Sequence, residues 1–167
     1  YITIAQNTNN YTLCEKVQPS AGVSSGICYS GVAISKKDST ICDKVPESDQ
    51  RAHCFYIIAQ GLSNPELCDK SGTPSTIDQC YWEVGVIKQM ATACAGVSDV
   101  TKRDSCYNSV ARIQKKPDIC KRMTDIKTQT ECFTSVAISS GDPSICDNIK
   151  DEIDQDNCKS SKNYADE

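Results

Sequence analysis

The sequence predicts an all-α fold: a disulfide-stapled α-solenoid of six helical hairpins, each of about 26 residues, preceded by a short extended arm. Three observations predict it. First, the cysteines stand at Cys14, Cys28, Cys42, Cys54, Cys68, Cys80, Cys94, Cys106, Cys120, Cys132, Cys146 and Cys158, and after the first pair the gaps alternate between 12 and 14 residues. Such a fixed period is the mark of tandem repeats. Second, cutting the chain at that period aligns other columns. An aromatic follows the second cysteine in five units (Tyr29, Phe55, Tyr81, Tyr107, Phe133). Three residues on comes a β-branched residue (Val32, Ile58, Val84, Val110, Val136), then a small one (Ala33, Ala59, Gly85, Ala111, Ala137). Third, positions one, four and five beyond a residue share one face of a helix and do not alternate as a strand would.

Taken in order, residues 1–9 come first and do not match the repeat. Tyr1-Ile2-Thr3-Ile4-Ala5 is rich in β-formers and runs into the polar Gln6-Asn7-Thr8-Asn9. An extended arm is expected there, folded over the first hairpin or reaching a neighbouring molecule, with Tyr1, Ile2 and Ile4 as its candidate contact residues. The units then run 10–37, 38–63, 64–89, 90–115, 116–141 and 142–167; the first is longer, with the extra length in Pro19-Ser20-Ala21-Gly22. Helix-start chemistry opens the units: Asp142-Pro143 and Asn64-Pro65 pair an N-cap with proline at the first helical position, and Asp38-Ser39 is a weaker version. The residue before the first cysteine is apolar (Leu13, Ile41, Leu67, Ala93, Ile119, Ile145), and so, except at Ser71, is the one three residues after it (Val17, Val45, Val97, Met123, Ile149). Breaks follow at Pro46, Gly72-Thr73-Pro74, Gly96 and the Pro19–Gly22 insertion. Each unit therefore reads as a short helix of about two turns, a turn, and a longer helix of about three turns. Stacked hairpins of this size would form a rod roughly 50–60 Å long, with helix layers about 8–10 Å apart. The last unit departs from the pattern, with Lys159, Lys162 and Asn163 in the apolar columns, which suits a terminal cap.

Two disulfide schemes are simple. Cysteines 12 apart can join the two helices of one hairpin, or cysteines 14 apart can link neighbours. The second scheme strands Cys14 and Cys158 at opposite ends of a rod, far beyond the roughly 7 Å limit on bridged Cα atoms. Within-hairpin bridges are therefore expected, each worth on the order of 3 kcal/mol by loop entropy. Disulfides at this density belong in an oxidising compartment. The start at Tyr1 without methionine and the short apolar runs fit a processed secreted protein or an excised ectodomain, extracellular or at the cell surface, with no membrane span. Thiolate metal binding is the remote rival, but close pairs of the C-x-x-C kind are missing and His53 is the only histidine.

The remaining residues carry little chemistry. A net charge of −4 with no basic stripe argues against nucleic acid. From Asp142 onward eight Asp or Glu face three Lys, and the cluster Asp151, Glu152, Asp154 and Asp156 lacks the spacing of a calcium loop, so it reads as a solvated end. His53 has no nucleophile partner in sequence, and no phosphate loop or nucleophile elbow is present, so neither enzymatic activity nor a cofactor or metal is expected. Asn10-Tyr11-Thr12 is a candidate glycosylation triplet. Tyr56 and Trp82 stand two residues after the second cysteine in adjacent units and form a candidate interaction patch beside a mostly polar column.

The run D-P-S-I-C-D in the sixth unit, with R-D-S-C-Y and V-A in the fourth, resembles the cysteine-paired helical repeats of secreted or surface proteins of archaea. The likeness covers residues 10 to 167 and implies no particular activity. The architecture is also similar to Sel1 and tetratricopeptide solenoids, although the unit is shorter and their diagnostic residues are absent. The expected function is a non-enzymatic extracellular structural protein, a rigid rod that self-associates head to tail or joins other surface proteins in a surface layer or filament. The alternative is a monomeric binding module or adhesin that uses the solenoid surface around Tyr56 and Trp82.

Overall fold

The computed structural model describes residues 1–18 and 24–161, and every regular element among them is helical. The Pro19–Gly22 insertion, Lys162 and Asn163 lie outside the described residues. The long helices are α2 (Ser25–Lys36), α3 (Ser48–Leu62), α4 (Pro74–Ile87), α6 (Val100–Gln114) and α7 (Ile126–Ser140), with the shorter α8 (Glu152–Lys159) last. The longest have 15 residues, about four turns rather than the expected three.

Each of these six helices is preceded by a short one, and five of the short ones are 3₁₀ helices of six residues: Tyr11–Lys16, Ser39–Lys44, Pro65–Lys70, Pro117–Arg122 and Pro143–Asn148. The fourth unit instead has a single α-turn, α5 (Ala91–Cys94). The short helices start as their sequence dictates. Asp38 Oδ1 accepts from the Thr40 N–H at 3.0 Å, Asn64 Oδ1 from Glu66 at 3.2 Å and Asp142 Oδ1 from Ser144 at 3.0 Å. These bonds satisfy an otherwise orphaned N–H of the first turn.

The N-terminal segment corrects the expectation of an extended arm. Residues Ile2–Thr8 form a helix, α1, which packs on the 3₁₀ helix Tyr11–Lys16 and on α2. Ala5 is completely buried there and Ile2 is packed against the same core. The local preference of Ile and Thr for strand gives way because burial of one helical face outweighs a propensity of a few tenths of a kcal/mol per residue.

Six disulfides close the hairpins: Cys14–Cys28, Cys42–Cys54, Cys68–Cys80, Cys94–Cys106, Cys120–Cys132 and Cys146–Cys158, with Cα–Cα distances of 5.5 to 5.8 Å. Every cysteine is used, so no sulfur is available as a thiolate ligand. The repeated columns line the interior. Val32, Ile58, Val84, Val110 and Val136 are fully buried, as are Ala33, Ala59, Ala111 and Ala137. Tyr29, Phe55, Tyr107 and Phe133 are buried beside the bridges, whereas Tyr81 is half-buried and its hydroxyl donates to Asp69 at 2.9 Å.

The chain divides into two compact units, residues 1–84 and 85–167. In the first, α2 packs on α3, and α3 on the short helix Pro65–Lys70. In the second, α6 packs on α7, and α7 on the short helix Pro143–Asn148.

Candidate functional site

The candidate site lies in the first unit, where the third hairpin departs from the repeat. The column three residues beyond the first cysteine is apolar in the other units but holds Ser71 here. The turn that follows is Gly72-Thr73-Pro74 instead of a sequence ending in an acidic N-cap such as Asp99, Asp125 or Asp151. Gly72 adopts φ +114°, a conformation that favours glycine. A Cβ on it would stand 3.2 Å from Thr76 Oγ1 and 3.4 Å from Ala52 Cβ. Small residues at this break leave a groove of about 640 Å³ between α3 and the start of α4.

Asp49, His53 and Tyr56 line one wall, one turn apart along α3, and Thr73, Thr76 and Gln79 line the other. The ring stacked on Tyr56 is that of His53, with centroids 6.2 Å apart and planes 11° apart. The Tyr56 hydroxyl donates to Glu83 Oε2, which also accepts from Gln60, while Glu83 Oε1 accepts from Gln79 at 2.7 Å. Burial, then the Glu83 hydrogen bond, pushes the Tyr56 hydroxyl up to about 12, so it stays protonated and fixed as a donor. On the opposite wall Thr76 Oγ1 donates to the Ser71 and Thr73 carbonyls at 2.9 and 2.8 Å. The groove thus offers an aromatic face, one carboxylate, an amide and a row of hydroxyls, with no Lys or Arg in its lining.

The other sequence-predicted residues are placed as follows. Trp82 is half-buried on α4. Tyr1 and Ile4 are exposed and Ile2 is half-buried, all on α1. Asn10 is exposed and caps the first 3₁₀ helix, accepting from the Thr12 N–H at 3.2 Å and the Thr12 hydroxyl at 2.7 Å. The Asn10 triplet therefore also serves as a helix cap. Asp151 caps α8 by accepting from the Asp154 N–H at 3.0 Å, and Glu152 and Asp154 lie in that first turn, where negative charge suits the helix dipole. Among the described residues no group of three or more His, Cys, Asp or Glu side chains is placed to hold a metal ion, and no helix is long and apolar enough to cross a membrane.

Sequence reasoning missed two features. His53 is exposed, and its ring stacks on Tyr56, a contact that only their spacing of three signals in the sequence. Asp104 is buried in the second unit, and its Oδ2 accepts from the Asp125 N–H at 3.3 Å at the start of α7. Its Oδ1, and Asn108 Oδ1 one turn along α6, are buried without a hydrogen-bond partner.

No protein-family model, curated protein or solved structure matches the chain.

Proposed function

We propose that this is a non-enzymatic extracellular structural protein, an α-solenoid of six stapled hairpins that serves as a rigid element of a cell-surface or filamentous assembly. The observation that supports this reading is recurrence. The same bridge and the same buried valine or isoleucine return hairpin after hairpin. Short helices that would not persist alone are each held by a covalent link, which suits a protein that must keep its shape outside the cell. Polymerisation through an extended arm is withdrawn, because residues 2–8 are a packed helix. Solution scattering tests the solenoid: an elongated particle of roughly 50–60 Å, set by helix layers about 8–10 Å apart, is expected, and a compact globule would sink it. Electron microscopy of the oxidised protein at high concentration tests the assembly, and isolated particles alone would overturn that part.

The groove beside Tyr56 favours a second reading, a binding module. An aromatic face flanked by a carboxylate, an amide and hydroxyls, without a cation, matches a neutral polyhydroxylated ligand such as an oligosaccharide better than an anion. Tyr56→Ala should abolish capture of neutral oligosaccharides on a glycan array and leave circular dichroism unchanged; Trp82, the other sequence-predicted contact, does not line the groove. An array on which the parent protein binds nothing rejects this reading.

A further inference from the structure

Helix α1 has the register of the long helices. Counted from the position where a second cysteine would stand, Tyr1 occupies the aromatic column of Tyr29, Phe55, Tyr107 and Phe133. Ile4 takes the column of Val32, Ile58 and Val110, and Ala5 that of Ala33, Ala59 and Ala111. The backbone agrees. Asn9 is left-handed at φ 54°, as Lys37, Ser63, Gln89 and Lys115 are at 53° to 55° nine residues past their cysteines. The Asn10 N–H then donates back to the Ala5 carbonyl at 2.9 Å, as Asp38 does to Ala33 at 2.9 Å, Asn64 to Ala59 at 3.0 Å and Lys116 to Ala111 at 3.0 Å. Two features of geometry and three sequence columns coincide, so residues 1–9 have the structure of the trailing half of a hairpin.

What differs is cover. Ala5 is fully buried, like its counterparts, but Tyr1 is 64% and Ile4 55% exposed, where Tyr29 is 1% and Val32 0%. In two complete hairpins the aromatic of this face meets the hairpin's own short helix: Tyr29 lies against Tyr11, ring centroids 6.4 Å apart, and Tyr81 is tied to Asp69. Among the described residues the short helix that α1 packs on, Tyr11–Lys16, is bridged to α2 and not to α1.

We propose that the Tyr1–Ile4 face of α1 is a docking surface for one more short helix of this repeat, the leading half of a seventh hairpin. The occupant is a capped six-residue segment with an aliphatic residue before its cysteine and another three residues after it, the pattern of Ile41-Cys42 and Val45. Joined ahead of Tyr1, such a segment would bring a second cysteine directly before the aromatic column, the place Cys28 holds before Tyr29 and Cys54 before Phe55. A second copy of the chain is a poor donor, since all six of its short segments are already bridged to their own long helices. The inference depends on hairpin register alone and holds whether or not the protein builds a surface assembly.

The test is the full chain extended by a copy of the segment from Asp38 to Cys54, joined directly to Tyr1. Peptide mapping should find a seventh bridge between the two added cysteines beside the six native ones, and α1 amides should exchange at least roughly tenfold more slowly. Inserting one glycine between the added cysteine and Tyr1 turns the face by about 100° and should remove both effects. Ile4→Ala should leave the Tm of the parent chain unchanged and lower that of the extended chain by several degrees. Native bridges intact with the added cysteines still thiols, or Ile4→Ala equally neutral in both chains, overturns the proposal; neither result touches the solenoid reading, which scattering decides.

Discussion

At the end of each long helix one residue must turn left-handed, and only Gly141 does so with a glycine; Asn9, Lys37, Ser63, Gln89 and Lys115 carry a Cβ at positive φ. That conformation costs an L-residue about 1–2 kcal/mol. Lys115→Gly should therefore stabilise the protein by about 1 kcal/mol, a rise in Tm of roughly 2–4 °C. Gly141→Ala should lose a similar amount, through φ alone, because nothing lies within 4 Å of the added Cβ. A calorimetric scan of both variants checks the pair. Gly85 is a glycine for a different reason. Its column is Ala in four other units, but a Cβ there would stand 2.7 Å from Cys106 Sγ and 3.0 Å from Cys94 Sγ. Gly85→Ala should cost about 1–3 kcal/mol by overpacking the bridge. Two half-buried tyrosines set an alkaline limit. Burial, then hydrogen bonds to carboxylates, raise Tyr56 and Tyr81 to about 12 from 10, so the folded state holds these protons more tightly than the unfolded chain does. Their contribution is fully present below pH 10 and is lost as pH rises through about 12. Tyrosinate absorbance should show these two ionising last, together with unfolding; early titration of all seven tyrosines would contradict it.

At the scale of the element, the unit is a 3₁₀ helix bridged to a four-turn α-helix. The sequence marked where these helices begin, because Asp or Asn followed by Pro or Ser announces a cap, and Asp38, Asn64 and Asp142 do cap them. It did not distinguish 3₁₀ from α, since in six residues a repeat of 3.0 and one of 3.6 place nearly the same side chains together. The tie is broken by tertiary demands: the chain has to leave the short helix within six residues and enter the next one with its cysteine against the bridge. The bridge carries much of the unit's persistence. Replacing Cys120 and Cys132 together by serine should lower stability by on the order of 3 kcal/mol by loop entropy. Chemical denaturation measures this, and a loss below about 1 kcal/mol would show that packing of Ile119, Phe133 and Val136 suffices without the bridge.

For the whole molecule, six disulfides fit an oxidising compartment, and the helices they hold are too short to persist alone. Full reduction at neutral pH should abolish most of the helical signal in circular dichroism; retained helicity would mean that the apolar columns hold the fold without bridges. The sequence by itself determined the repeat, the helical class, the caps and the pairing of cysteines, because each follows from local spacing and from the reach of a disulfide. It also singled out Tyr56 as a departure from the repeat. Only the tertiary structure decided the rest. Residues 1–9 looked like strand because Tyr1, Ile2 and Ile4 are β-formers and no cysteine marks their register; burial of Ala5 against the first hairpin made them a helix. The partners of Tyr56 and the groove beside it were equally out of reach, since His53, Gly72, Thr76 and Glu83 come from segments whose approach depends on packing between helices, and one sequence records no such distances.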